Sequence, residues 1–101
     1  KIPPCLSSPR CLTQINMWIS AGVTYSNLHY DDYSNILCVV SGEKQVLLFP
    51  ASQTASLHAN NIGHPSPNHS ALDKSDFERK EGESDKDFEK RTGGKTITIR
   101  R

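Results

Sequence analysis

His29 and Asp31 stand two residues apart in the stretch SNLHYDDYSNILCVVSGEK, residues 26–44. On an extended chain, residues two apart project to the same side, so an imidazole and a carboxylate at this spacing can converge on one cation. Joined by a more distant histidine, such a pair makes the two-histidine, one-carboxylate set that holds Fe(II) on one face and leaves the remaining positions open. Open positions are what a co-substrate and dioxygen require. By itself the spacing is weak evidence, because a surface histidine beside a turn aspartate shows the same pattern.

The elements that would position the pair read mostly as β. QINMWIS (14–20) alternates Ile15, Met17 and Ile19 against Asn16 and Ser20, a strand pattern. NILCVV and QVLLFP are short apolar runs joined by SGEK, which predicts a hairpin that Pro50 ends. TITIR (96–100) alternates like one last strand. ASQTASL suits a helical turn, and ALDKSDFER suits a short helix with Asp73 or Ser75 as its N-cap. The expected fold class is therefore mainly β, with Trp18, Ile36, Val39 and Leu47 as core.

Composition sets bounds on that fold. The chain has 101 residues, 35% of them hydrophobic and 7% aromatic, with a formal net charge of +1. That charge supplies no nucleic-acid footprint. Residues 1–72 carry only Lys1, Arg10, Asp31, Asp32, Glu43 and Lys44, and the other 17 charges fall in residues 73–101. Mixed, aromatic-poor sequence of this kind buries little surface, so residues 80–101 are expected to form a charged, polar tail that composition leaves free to be disordered, and residues 1–12 a coil. Cys5, Cys11 and Cys38 are odd in number and lack CxxC spacing, which suits neither a zinc module nor a disulfide framework. Cys38 lies in an apolar run and is expected to be a buried thiol. The N-terminal KIPPCLSSPRC lacks the apolar core of a signal peptide, and no run is long enough to span a bilayer. The expectation is an intracellular protein, cytoplasmic or nuclear, with no membrane partner. The NHS at Asn68–Ser70 matches a glycosylation acceptor that this setting leaves unused.

Across residues 13–79 the succession of motifs resembles the JmjC branch of the cupin-type oxygenases, and within it the small JmjC protein hydroxylases. An apolar strand runs into a Gly turn at Met17–Gly22. A hydroxyl-x-x-His-x-Asp segment follows at Ser26–Asp31, with Asn35 four residues on. Then come an apolar run, a Gly turn and Lys44, a second run ending LFP, and the segment GHPSPNHSALDKSDFER, similar to the family's HP…D…DFE. The resemblance implies a double-stranded β-helix (cupin, or jelly-roll-like), present here as a partial domain over residues 13–79. It implies Fe(II) held by His29 and Asp31, and 2-oxoglutarate as co-substrate. Lys44 would pair with the distal carboxylate of 2-oxoglutarate, Ser26 would donate to the same group, and Asn35 would make a polar contact near it. The implied activity is that of a dioxygenase that hydroxylates a protein side chain, with demethylation or a tRNA-base substrate as alternatives.

The sequence departs from the family at the third ligand. The family's distal histidine lies in a late segment of the type G-D-x-L-x-I-P-x-x-W-x-H, and nothing in this chain matches it. His58, His64 and His69 fall in a loop that the family also has. The second reading is therefore a catalytically inactive, truncated JmjC remnant that serves as a binding or interaction segment.

Overall fold

The computed structural model describes residues 12–101, together with Pro4 and Ser8. Most of the coil expected over residues 1–12, including Cys5 and Cys11, lies outside the described residues. Among those described, the regular elements are strand β1 (Glu43–Leu48), helix α1 (Asp85–Thr92), strand β2 (Lys95–Arg100) and two short 3-10 helices, Ala51–Leu57 and Lys74–Phe77. No helix among them is long and apolar enough to cross a membrane.

β1 takes the apolar residues Val46, Leu47 and Leu48 and stops before Pro50, which has no N–H to give to a ladder. Its partner is β2, antiparallel, with Lys44 opposite Ile99, Val46 opposite Ile97 and Leu48 opposite Lys95. Gly42 and Arg101 exchange both backbone hydrogen bonds, at 3.2 and 3.0 Å, and close that end of the ladder. The predicted hairpin between NILCVV and QVLLFP is not formed. The second run does become a strand, but it pairs with TITIR, while residues 34–39 have no ladder partner among the described residues. QINMWIS likewise has the alternation of a strand without the ladder. An apolar period specifies which face of a strand is to be covered, and it becomes a strand only when backbone groups on its edges are paired. With neither partner nor cover among the described residues, Trp18 is 83% exposed, and Ile15, Met17, Ile19, Ile36 and Cys38 are exposed as well. The expectations of a core Trp18, a core Ile36 and a buried Cys38 are corrected accordingly. Val39 and Leu47 are half-buried.

The charged C-terminal segment, expected to be a polar tail with a last strand at TITIR, contains that strand as β2 and also the helix α1. Ser84 caps α1 by accepting from the Asp87 N–H, Asp85 and Asp87 occupy the first turn, and Lys90 and Arg91 the last, the charge order that a helix dipole favours. Gly93, at φ 73°, ends the helix in the left-handed conformation that glycine adopts without strain. The helix contributes a single apolar side chain, Phe88, which is 2% exposed. Arg79 and Arg91 lie over its ring at 4.8 and 5.4 Å from the centroid. Their charges are matched by Asp85, 2.6 Å from Arg79, and by Glu83, 2.7 Å from Arg91. Beside this cluster Phe49 and Phe77 pack at 5.3 Å, tilted by 58°, over the buried Gly94. Asp73 caps the 3-10 helix at Lys74–Phe77 in a capping box with Asp76. With so little interior the chain is open: its Cα radius of gyration is 15.7 Å, against about 13 Å for a compact 100-residue domain.

Candidate functional site

His29 lies in a short antiparallel bridge, directly opposite His69. Tyr30 N–H donates to Asn68 O at 3.1 Å, and Ser70 N–H donates to Leu28 O at 2.8 Å. These bonds flank the His29–His69 pair and make it a non-hydrogen-bonded pair, the kind in which facing side chains come closest. The two imidazoles stack accordingly, with centroids 5.1 Å apart and planes 22° from parallel. The 68–70 segment is held from its other side by Ala59, which bridges Ser70.

His29 Nδ1 lies 2.7 Å from Asn27 O. A carbonyl oxygen only accepts, so Nδ1 carries a proton, and in the neutral ring the lone pair is on Nε2. That nitrogen faces Asp31 Oδ1 at 3.8 Å. The other carboxylate oxygen, Oδ2, accepts from Asn35 Nδ2 at 2.5 Å. Each residue of the pair therefore has one donor atom tied back to the chain and one turned toward its neighbour. Two metal bonds of about 2.1 Å meeting at a right angle separate their donors by about 3 Å, so the pair fits two adjacent ligand positions after closing by less than 1 Å. Both side chains are partly exposed, 36% for His29 and 54% for Asp31.

The set stops at two. Among the described residues no group of three histidine, cysteine, aspartate or glutamate side chains is placed to hold a metal. His69 is the nearest histidine by contact, but the lone pairs of near-parallel rings run alongside one another instead of meeting. Of the five residues singled out from the sequence, the structure joins His29, Asp31 and Asn35. Ser26 is exposed three residues before His29, and Lys44 is exposed on β1; among the described residues, no hydrogen bond or ion pair links either to the other three. A cavity of about 580 Å³ opens beside His29, walled mainly by Leu28, Leu47, Phe49, Pro50 and Leu57, with Asn68 also in its lining. Lys44 is not one of its lining residues, although Leu47 and Leu48 of the same strand are.

Two neighbours of the pair escape a reading of the sequence. His69 and Asn68 belong to a Ser/Asn/Pro-rich loop 37 to 40 residues away, and the signals there, three spaced histidines and the NHS sequence, did not point to the pair.

The comparisons with known proteins agree with the motif succession. Residues 1–94 match the family described as "Cupin-like domain". Over 69 residues the chain is 39% identical to the lysine-specific demethylase JMJ31 of Arabidopsis thaliana, covering 68% of this chain and 13% of that protein. It is 45% identical over 38 residues to the human bifunctional peptidase and (3S)-lysyl hydroxylase JMJD7, covering 38% of this chain and 12% of that protein. A third relative, the lysine-specific demethylase JMJ32 of Arabidopsis thaliana, is 36% identical over 56 residues, 55% of this chain and 16% of that protein. The chain thus spans less than a fifth of the length of each of these relatives. No solved structure matches it.

Proposed function

The chain belongs to the cupin-like domain family, of JmjC type, and from that premise we propose that it carries two iron ligands, His29 and Asp31, of a 2-oxoglutarate-dependent oxygenase. The observation that supports this most directly is the turning of His29 Nε2 and Asp31 Oδ1 toward one another while Nδ1 and Oδ2 are tied to Asn27 and Asn35. A metal-bound histidine ordinarily donates its second ring nitrogen in this way, which sets the tautomer and raises the basicity of the ligating atom.

Iron bound here with 2-oxoglutarate would supply the activation of dioxygen and the oxidation of a substrate C–H bond. The chain's own residues bind and orient. His29 and Asp31 would hold the metal, and Asn35 ties Asp31 Oδ2 to the chain. As the family resemblance implies, Lys44, a flexible point charge, would pair with the distal carboxylate of 2-oxoglutarate, and Ser26 would donate a hydroxyl to it. The cavity beside His29 presents mainly apolar walls. The substrate we favour is a protein side chain. Two of the relatives are named for lysine demethylation and one for lysyl hydroxylation, which makes a lysyl side chain the first class to test.

The second reading, a binding segment without activity, is favoured by one observation, the absence of a three-ligand group among the described residues. Anaerobic thermal unfolding of the chain with and without Mn(II) and 2-oxoglutarate separates the two. A ligand that binds only the folded state raises the midpoint. A rise lost in the His29→Ala/Asp31→Ala double variant supports the metal and co-substrate site. A midpoint indifferent to both ligands supports the binding segment.

A further inference from the structure

We propose that Asn68 is a positioning residue for the His29–Asp31 pair, holding the peptide between them from 38 residues away. Tyr30, the residue between the two, has both of its backbone polar groups engaged by Asn68. Its N–H donates to Asn68 O at 3.1 Å, and its carbonyl accepts from Asn68 Nδ2 at 3.0 Å. In a regular antiparallel ladder the second bond of such a pair comes from the partner's backbone N–H. Here the side-chain amide supplies it, which confines the task to a residue carrying a short amide. Aspartate lacks the donor, and an aliphatic residue lacks any polar group.

The Tyr30 carbonyl lies in the peptide plane that leads into Asp31. Rotation of that plane swings the Asp31 side chain, and with it the distance from Oδ1 to His29 Nε2, now 3.8 Å. On the other side the same segment supplies His69, stacked on the His29 ring. Asn68 therefore acts on one member of the pair through the peptide and its neighbour His69 on the other through the ring. The amide nitrogen of the NHS sequence is thereby given a partner within the chain.

The functional meaning of the inference rests on the reading of His29 and Asp31 as metal ligands, so the experiment has two readouts. In the 101-residue chain, Asn68→Ala and the similarly sized Asn68→Leu are compared with wild type and with the His29→Ala/Asp31→Ala variant. Backbone amide exchange is followed without metal, and Mn(II) binding is followed by electron paramagnetic resonance. The expected result is faster exchange at Tyr30 and Ser70, with the Phe88 amide unchanged, in both Asn68 variants. Their Mn(II) affinity should fall about tenfold, the loss usual for an outer-shell partner. Unchanged protection at Tyr30 overturns the proposal whatever the metal does. Faster exchange at Tyr30 with unchanged Mn(II) affinity also overturns it, since Asn68 then orders the segment without positioning the pair. Mn(II) binding that survives in the double variant refutes the metal reading instead, and the exchange data then decide alone whether Asn68 holds the peptide.

Discussion

Asn35 donates from Nδ2 to Asp31 Oδ2 across four residues, at 2.5 Å, and leaves Oδ1 as the carboxylate oxygen that faces His29. The resemblance placed Asn35 near the co-substrate; in the structure it holds the carboxylate. Asn35→Ala frees Asp31 to rotate and offers the cation either oxygen. Mn(II) affinity should fall about tenfold with little change in thermal midpoint, since both side chains are exposed. A titration showing wild-type affinity in Asn35→Ala would remove Asn35 from the site.

His69 contacts His29 through its ring face, at 5.1 Å and 22°, and this separates a stacking role from a ligand's role. His69→Phe keeps an aromatic ring and removes both nitrogens. It should bind Mn(II) as wild type does, whereas His69→Ala should bind more weakly and lose roughly 0.5–1.5 kcal/mol of stability, the worth of an aromatic pair. Equal losses in the two variants would instead make a His69 nitrogen a ligand.

What could be read from the sequence follows from how local each feature is. His29, Asp31 and Asn35 lie within seven residues; spacing alone pointed to the first two, and the family resemblance added Asn35. β1 announced itself as a short apolar run and β2 by alternation, and Asp73 was one of two N-cap candidates, with Ser75 the other. The pairing of β1 was not legible. The nearer apolar run looked like its partner, while the actual one begins at Lys95. Phe88 was hidden by its neighbours: in DKDFEKRT it is the one apolar side chain, and its cover is two guanidinium groups with paired charges. Composition counts those arginines as polar, although their stems and planes pack as surface. Asn68 and His69 reach the site across 38 and 40 residues, a separation that no period marks.

Acid should loosen the C-terminal half through Glu83. Arg91 grips its carboxylate with two hydrogen bonds, at 2.7 and 2.9 Å, and the Glu83 side chain is only 8% exposed. The Arg91 hydrogen bonds, against some opposition from burial, hold the carboxyl down at about 2 instead of 4.5. A carboxyl whose folded-state value is depressed contributes stability that is fully present above the unfolded value and lost as pH falls toward the folded one. The loss should therefore run from about pH 4.5 down to about 2. Other carboxylates titrate in the same range, so the quantity to measure is the difference between wild type and Glu83→Gln in urea midpoint against pH. The two curves should converge as the pH falls. Parallel curves would show that the fork contributes nothing dependent on protonation.

Gly94 is the close approach that lets β2 leave α1 beside the Phe49–Phe77 pair. A Cβ there would stand 2.6 Å from Phe49 Cε1 and 3.0 Å from Leu47 Cδ1, so the ring must shift. Gly94→Ala should cost about 1–3 kcal/mol by overpacking. Gly82 supplies the control, because a Cβ there meets nothing within 4 Å and only its φ of 75° resists a side chain, at about 1–2 kcal/mol. The mechanisms separate in a Phe49→Leu background, where the clashing ring atoms are gone. Denaturant unfolding should show the Gly94→Ala penalty shrinking there by about 1 kcal/mol, a coupling of the size expected for residues in contact, with the Gly82→Ala penalty unchanged. Equal penalties for Gly94→Ala in both backgrounds would mean that the contact with Leu47, and not the Phe49 ring, sets the cost at this position.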